Sequence, residues 1–89
     1  AELPLKLGTI VNDPDNPKSA MARAGQFVAF TPPFNTSGQP AISLPLEWTA
    51  GGLPIGVQLV AAYGREDVLF RVASQLEQAN PWAHRTPAI

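Results

Sequence analysis

Eighty-nine residues with a formal net charge of −1, a hydrophobic share of 45% and no cysteine set narrow bounds on this chain. They allow at most one small domain with a modest core, and they exclude disulfides, a thiolate nucleophile and cysteine-bound metal. The near-neutral charge gives no electrostatic reason to expect nucleic acid or an anionic membrane as a partner.

The opening residues AELPLKLG have neither the basic start nor the apolar run of a signal peptide. No apolar stretch approaches the roughly 18–20 residues that span a bilayer. A start without methionine, inside an extended proline-containing segment, reads as a fragment or processed piece; the alternative is a complete small protein whose initiator has been removed. The absence of cysteine fits a reducing compartment, and a cytoplasmic location is expected.

Residues 1–16 are expected to be extended or loop. Leu3, Leu5 and Leu7 alternate as in a brief strand or an arm, and the NDPDNP run from Asn12 is a turn cluster. A helix is expected from Asn16, with Asn16 as N-cap and Pro17 in the first position. Met21, Ala24, Phe27 and Val28 would form its apolar face, with Gly25 weakening it.

Thr31 reads as a second cap, followed by a helical turn over Pro32–Ser37 in which both prolines sit where N–H groups are dispensable. Gly38 stands where a left-handed residue would end that turn. Ala41–Leu46 and Pro54–Ala62 are the expected strands, joined by a linker short enough for antiparallel pairing. Ile42, Leu44 and Leu46 would share a face with Ile55, Val57 and Leu59. The opposite face, with Ala41, Ser43, Gly56, Gln58 and Val60, carries mostly small groups and is expected to be covered.

The clearest element is the last helix. Leu69, Val72, Ala73, Leu76 and Ala79 make an apolar stripe, Glu66 and Asp67 complement the helix dipole in the first turn, and Asn80-Pro81 stops the helix. The tail WAHRTPAI is a polar-aromatic end.

No catalytic constellation is visible. Ser19, Ser37, Ser43 and Ser74 lie in neither a Gly-x-Ser-x-Gly elbow nor a Ser-x-x-Lys pair. His84 is the sole histidine and sits beside Arg85 in a proline-flanked tail, which reads as solvent-facing. One histidine without cysteine cannot close a structural zinc site, and no cofactor is expected. Asp13, Asp15, Glu66 and Asp67 read as turn and helix-start residues. Gly51-Gly52 lacks the following Gly-Lys-Ser/Thr of a phosphate loop. The aromatics are not interleaved with basic residues, so no base-stacking platform is expected.

The run Phe34–Pro45, FNTSGQPAISLP, is followed by Gly52–Val60, GLPIGVQLV, then Gly64, the Leu69–Glu77 helix and Pro81-Trp82. This ordered series resembles the C-terminal part of the amidase signature family, serine hydrolases that cleave carboxylic amide C–N bonds. The resemblance implies an α/β fold fragment, an antiparallel strand pair with flanking helices, within a bacterial-type enzyme. It also implies a Ser–cis-Ser–Lys triad, in which lysine is the base, the bridging serine relays the proton and the second serine attacks the carbonyl.

Neither the lysine nor the serine-bearing Gly/Ser-rich segment has a counterpart here, and Lys6 and Lys18 do not match the lysine position. What the resemblance carries over is scaffolding: Asn35 bonding backbone at the turn, Gly38 passing through a left-handed conformation, and Gly56 and Gln58 on the strand completing the sheet. Phe34 and Trp48 could line the substrate cavity, or simply pack. Residues 1–89 are thus expected to form the C-terminal part of an amidase domain, with a small amide as the parent's substrate and no activity of their own. Two alternatives stand beside this: a segment of the A subunit of a tRNA-dependent amidotransferase, and a non-catalytic module that self-associates through unpaired strand edges.

Overall fold

The computed structural model describes residues 2–87, so the end of the tail, Ala88 and Ile89, lies outside the described residues. The elements run in the order α1 (Ser19–Gly25), α2 (Pro32–Ser37), β1 (Ala41–Trp48), β2 (Pro54–Val60) and α3 (Glu66–Ala79). The chain divides between Pro33 and Phe34 into two compact units.

In the first unit, Leu3, Leu5 and Leu7 form no strand; Leu5 is half-buried while Leu7 is fully exposed. The turn cluster forms as expected. The Asp13 carboxylate accepts from the Asp15 N–H at 2.9 Å, and the Asn16 N–H donates to the Asp13 carbonyl at 3.0 Å. That turn consumes Asn16, so the helix begins later than its sequence suggests. Its N-cap is Lys18, without a side-chain cap bond, and it ends at Gly25. Phe27 and Val28 therefore lie beyond the helix, and Met21 points largely into solvent. The physical reason is local: aspartate and asparagine bond readily to nearby backbone in turns, and glycine propagates a helix poorly.

α2 matches its expected span. Its last turn is closed by the Gly38 N–H donating to the Phe34 carbonyl at 3.0 Å, with Gly38 at φ +71°. This backbone conformation is strained for residues that carry a Cβ, so glycine is the natural residue here.

β1 and β2 pair antiparallel, with Ile42 opposite Leu59 and Leu44 opposite Val57. The register shifts between Pro45 and Glu47, which leaves Leu46 as a bulge residue. Proline has no N–H for a ladder and belongs on an edge or at a bulge, which is where Pro45 sits. Past the bulge β1 continues to Trp48, two residues further than expected, and β2 stops at Val60. The connecting turn is held by Thr49: its N–H donates to the Leu53 carbonyl at 2.9 Å and its hydroxyl accepts from the Leu53 N–H at 3.0 Å.

α3 lies against β1, and each contributes one buried residue, Leu69 and Leu44. Ala73 and Leu76 are half-buried on the same helix, while Val72 at 37% and Ala79 are exposed, so the buried stripe is narrower than its spacing suggests. Ile55 and Val57 on β2 remain 40% and 38% exposed. The small-residue face is largely open, not covered: Ala41, Ser43, Gly56 and Val60 are exposed, and Gln58 is half-buried. Within that face a Cβ on Gly56 would stand only 2.7 Å from the Ser43 hydroxyl oxygen, so the two strands use glycine for close approach.

Helix α3 stops at Asn80, whose N–H donates to the Leu76 carbonyl at 2.9 Å. The Asn80 side-chain amide donates to the carbonyl of the bulged Leu46 at 2.9 Å. The end of the helix is thereby tied to the irregularity in β1. At the helix start, the Arg65 guanidinium donates to both oxygens of Asp67, at 2.8 and 3.0 Å. That pairing, first among the causes, holds the Asp67 carboxyl below the usual carboxylate range. A depressed folded-state value contributes stability above the unfolded value of about 3.9, and the contribution is lost as pH falls through the folded value. Acidification should therefore loosen the first turn of α3. Circular dichroism of the chain and of Asp67→Asn should show an acid loss of helicity that the variant has already undergone at neutral pH.

Candidate functional site

Each of the four serines is placed by local structure. The Ser19 hydroxyl accepts from the Asp13 N–H at 3.1 Å, and the Ser37 hydroxyl donates to the Gln39 side-chain oxygen at 3.1 Å. The Ser74 hydroxyl accepts from the Gln78 amide at 3.3 Å, one helical turn away. The Ser43 hydroxyl lies beside Gly56, diagonally across the strand pair, with Gln58 as the direct partner of Ser43. Among the described residues no serine is hydrogen-bonded to His84 or to a lysine, so none has the neighbouring base that a serine nucleophile requires. No group of three or more metal-ligating side chains occurs among the described residues. None of their helices is long and apolar enough to cross a membrane.

The residues singled out as scaffold fall around the second unit. Phe34 is half-buried in α2 and Asn35 is exposed beside it; the hydrogen bond closing this corner is the one from Gly38 to Phe34. Gly56 and Gln58 lie on β2, opposite Pro45 and Ser43 in the register. Gln58 is half-buried.

Trp48 ends β1 and lines an open groove of about 400 Å³ with Gly52, His84, Arg85 and Thr86. Phe34 is not among the residues lining that groove. The Arg85 guanidinium carbon lies 5.5 Å from the centroid of the Trp48 ring, within cation–π range. His84 is exposed, as its place in the tail suggests, yet it also forms part of this groove. The Arg85–Trp48 contact spans a separation in sequence that no local motif announces; a lone tryptophan at a strand end and an arginine in a proline-flanked tail are its only traces.

The first unit has its own cluster. Arg23 pairs with Glu2, one bond measuring 2.9 Å, and also donates to the Gln26 side chain. Its guanidinium lies 5.2 Å from the Phe27 ring centroid. Hydrogen bonding to Arg23 lowers the Glu2 carboxyl below its ordinary range. Leu5, Lys6, Leu7, Gly8, Ile10 and Phe27 line a second hollow of about 410 Å³. Neither hollow holds a nucleophile with its base.

A two-stranded antiparallel sheet braced by an amphipathic helix describes a piece of an α/β scaffold. The family model described as Amidase matches residues 1–70, and the chain belongs to that family. It is 64% identical over 64 residues to the 6-aminohexanoate-cyclic-dimer hydrolase of Paenarthrobacter ureafaciens, a match covering 72% of this chain and 13% of that protein. It is 46% identical over 70 residues to the putative amidase AmiC of Mycobacterium leprae, covering 79% of this chain and 15% of that protein. A glutamyl-tRNA(Gln) amidotransferase component from a Cyanothece species is 48% identical over 59 residues, covering 66% of this chain and 12% of that protein. A solved structure of 6-aminohexanoate cyclic dimer hydrolase with its substrate superposes with a TM-score of 0.76 at 52% identity, over 91% of this chain and 18% of that one. The chain thus spans only a small part of the length of the proteins it matches.

Proposed function

We propose that this chain is the C-terminal part of a bacterial, cytoplasmic amidase, and that it completes the sheet of an enzyme whose Ser–cis-Ser–Lys triad lies in other residues. The observation that carries this reading is the 64% identity to a 6-aminohexanoate-cyclic-dimer hydrolase, combined with superposition at a TM-score of 0.76 on part of a solved hydrolase of that name. The substrate would be a small carboxylic amide, cleaved through an acyl-enzyme, and 6-aminohexanoate cyclic dimer is the first compound to try. Asn35, Gly38, Gly56 and Gln58 would serve as scaffold, and Phe34 and Trp48 would close the substrate cavity from its far side.

The amidotransferase reading is supported by a lower identity, 48%, and is the weaker of the two. The test begins with the open reading frame upstream of Ala1. It should encode a lysine followed by a Gly/Ser-rich segment, and the encoded polypeptide should release amine from the cyclic dimer. An upstream frame without that segment would overturn the proposal.

The isolated chain is further proposed to self-associate. Each strand of a two-stranded sheet has an unpaired edge, and Ile55, Val57, Val60 and Phe70 are exposed apolar side chains in the same unit. Size-exclusion chromatography with light scattering at micromolar concentration should give a mass above that of one copy. A sharp monomer peak would refute self-association while leaving the amidase reading intact.

A further inference from the structure

We propose that the groove between the β1–β2 turn and the tail after α3 binds an aliphatic carboxylate, with Arg85 holding the anion and Trp48 forming the apolar wall. The first support is charge. Arg23 pairs with Glu2, and Arg65 and Arg71 both pair with Asp67. Arg85 has no acidic partner among the described residues, and its cation lies over an indole. The adjacent Glu47 carboxylate forms no ion pair with Arg85 among the described residues; one of its oxygens accepts from the Trp48 N–H at 3.3 Å. A guanidinium remains charged at any physiological pH and presents a planar fork of donors that matches a carboxylate.

The second support is shape. The groove, about 400 Å³ and open to solvent, leaves room for a short-chain ligand to lie along the indole. Its lining combines one cation, the His84 ring, the Thr86 hydroxyl and the Trp48 indole. One fixed positive charge beside an aromatic wall suits a monoanion with a hydrocarbon chain. Phosphate, with more negative charge and no apolar part, would leave the indole unused and call for further cations. Amide hydrolysis yields a carboxylate; only the assignment of the ligand as an acyl product rests on the amidase reading, while the binding itself does not.

The test is an NMR titration of the 89-residue chain with hexanoate, hexanamide and inorganic phosphate, following the indole N–H signals. Hexanoate should give saturable shifts at Trp48, with hexanamide and phosphate binding at least about tenfold more weakly. Arg85→Gln should weaken hexanoate by about tenfold or more, and Arg85→Lys should fall between, because it keeps the charge but not the fork. The lysine variant also guards against a glutamine variant that fails to fold. Equal binding of hexanoate and hexanamide, phosphate binding as tightly as hexanoate, unchanged hexanoate affinity in both variants, or no saturable shift would each overturn the proposal. Hexanoate binding in this chain, together with a longer polypeptide that cleaves no amide, would instead sink only the amidase reading.

Discussion

Replacing Leu44 with alanine is expected to abolish cooperative unfolding of the second unit. Leu44 is 5% exposed and Leu69 is 6% exposed, and they are the core hydrophobic residues among those described. Truncating a buried leucine costs about 2–5 kcal/mol, as lost transfer energy plus the residual cavity. A core in a scaffold this small rarely supplies more than about 3–5 kcal/mol in total. The substitution therefore removes most of what holds α3 on β1. Val72→Ala is the matched control: the side chain is 37% exposed, and it should cost well under half as much. Urea titrations followed by tryptophan fluorescence read both variants. Equal shifts in the two would mean that Leu44 is not part of a working core.

Substituting Gly38 with alanine is expected to destabilise the corner between α2 and β1 by about 1–2 kcal/mol, the usual cost of a left-handed backbone for a residue with a Cβ. Its φ of +71° sets that cost, and a Cβ there would also meet the Tyr63 ring at 3.3 Å. The two contributions are separable. Tyr63 is 80% exposed and can move aside, so Tyr63→Ala should restore only a small part of the loss. Gly64, at φ +72° with nothing within 4 Å of its would-be Cβ, gives the backbone contribution alone when changed to alanine. Gly38→Asn should cost less than Gly38→Ala, because asparagine tolerates the left-handed region. Full recovery on removing Tyr63 would place the cost in crowding and contradict the backbone account.

The parts of the fold that local chemistry decides are legible from residues alone. Paired prolines followed by Gly38 specify the α2 corner, alternating aliphatics specify the two strands, and the helical stripe closed by Asn80-Pro81 specifies α3. The failures have identifiable competitors. Asn16 is drawn into the Asp13 turn instead of capping α1, and Gly25 ends that helix before Phe27. The bulge at Leu46 is hidden because Pro45 signals an edge but not which neighbour will be the extra residue. The small-residue face, expected to be covered, is largely open: four of its five residues are exposed.

The candidate groove is the least legible feature. Trp48, His84 and Arg85 are each visible singly in the sequence, and what joins them is tertiary: the Asn80 side chain bonds the Leu46 carbonyl, and the tail after α3 brings Arg85 over the indole of Trp48. Such contacts carry no sequence period. The serines are placed by local chemistry, three of them bonding partners no more than six residues away in sequence.

What stands or falls together here is a division of labour, in which these strands and helix supply framework and residues elsewhere supply the reaction. The most direct measurement is amine release from 6-aminohexanoate cyclic dimer by the purified 89-residue chain, by any polypeptide found encoded ahead of it, and by the two mixed. Turnover is predicted to need both parts, with neither active alone. Steady turnover by the purified chain, or full activity from the preceding polypeptide without it, would contradict that division.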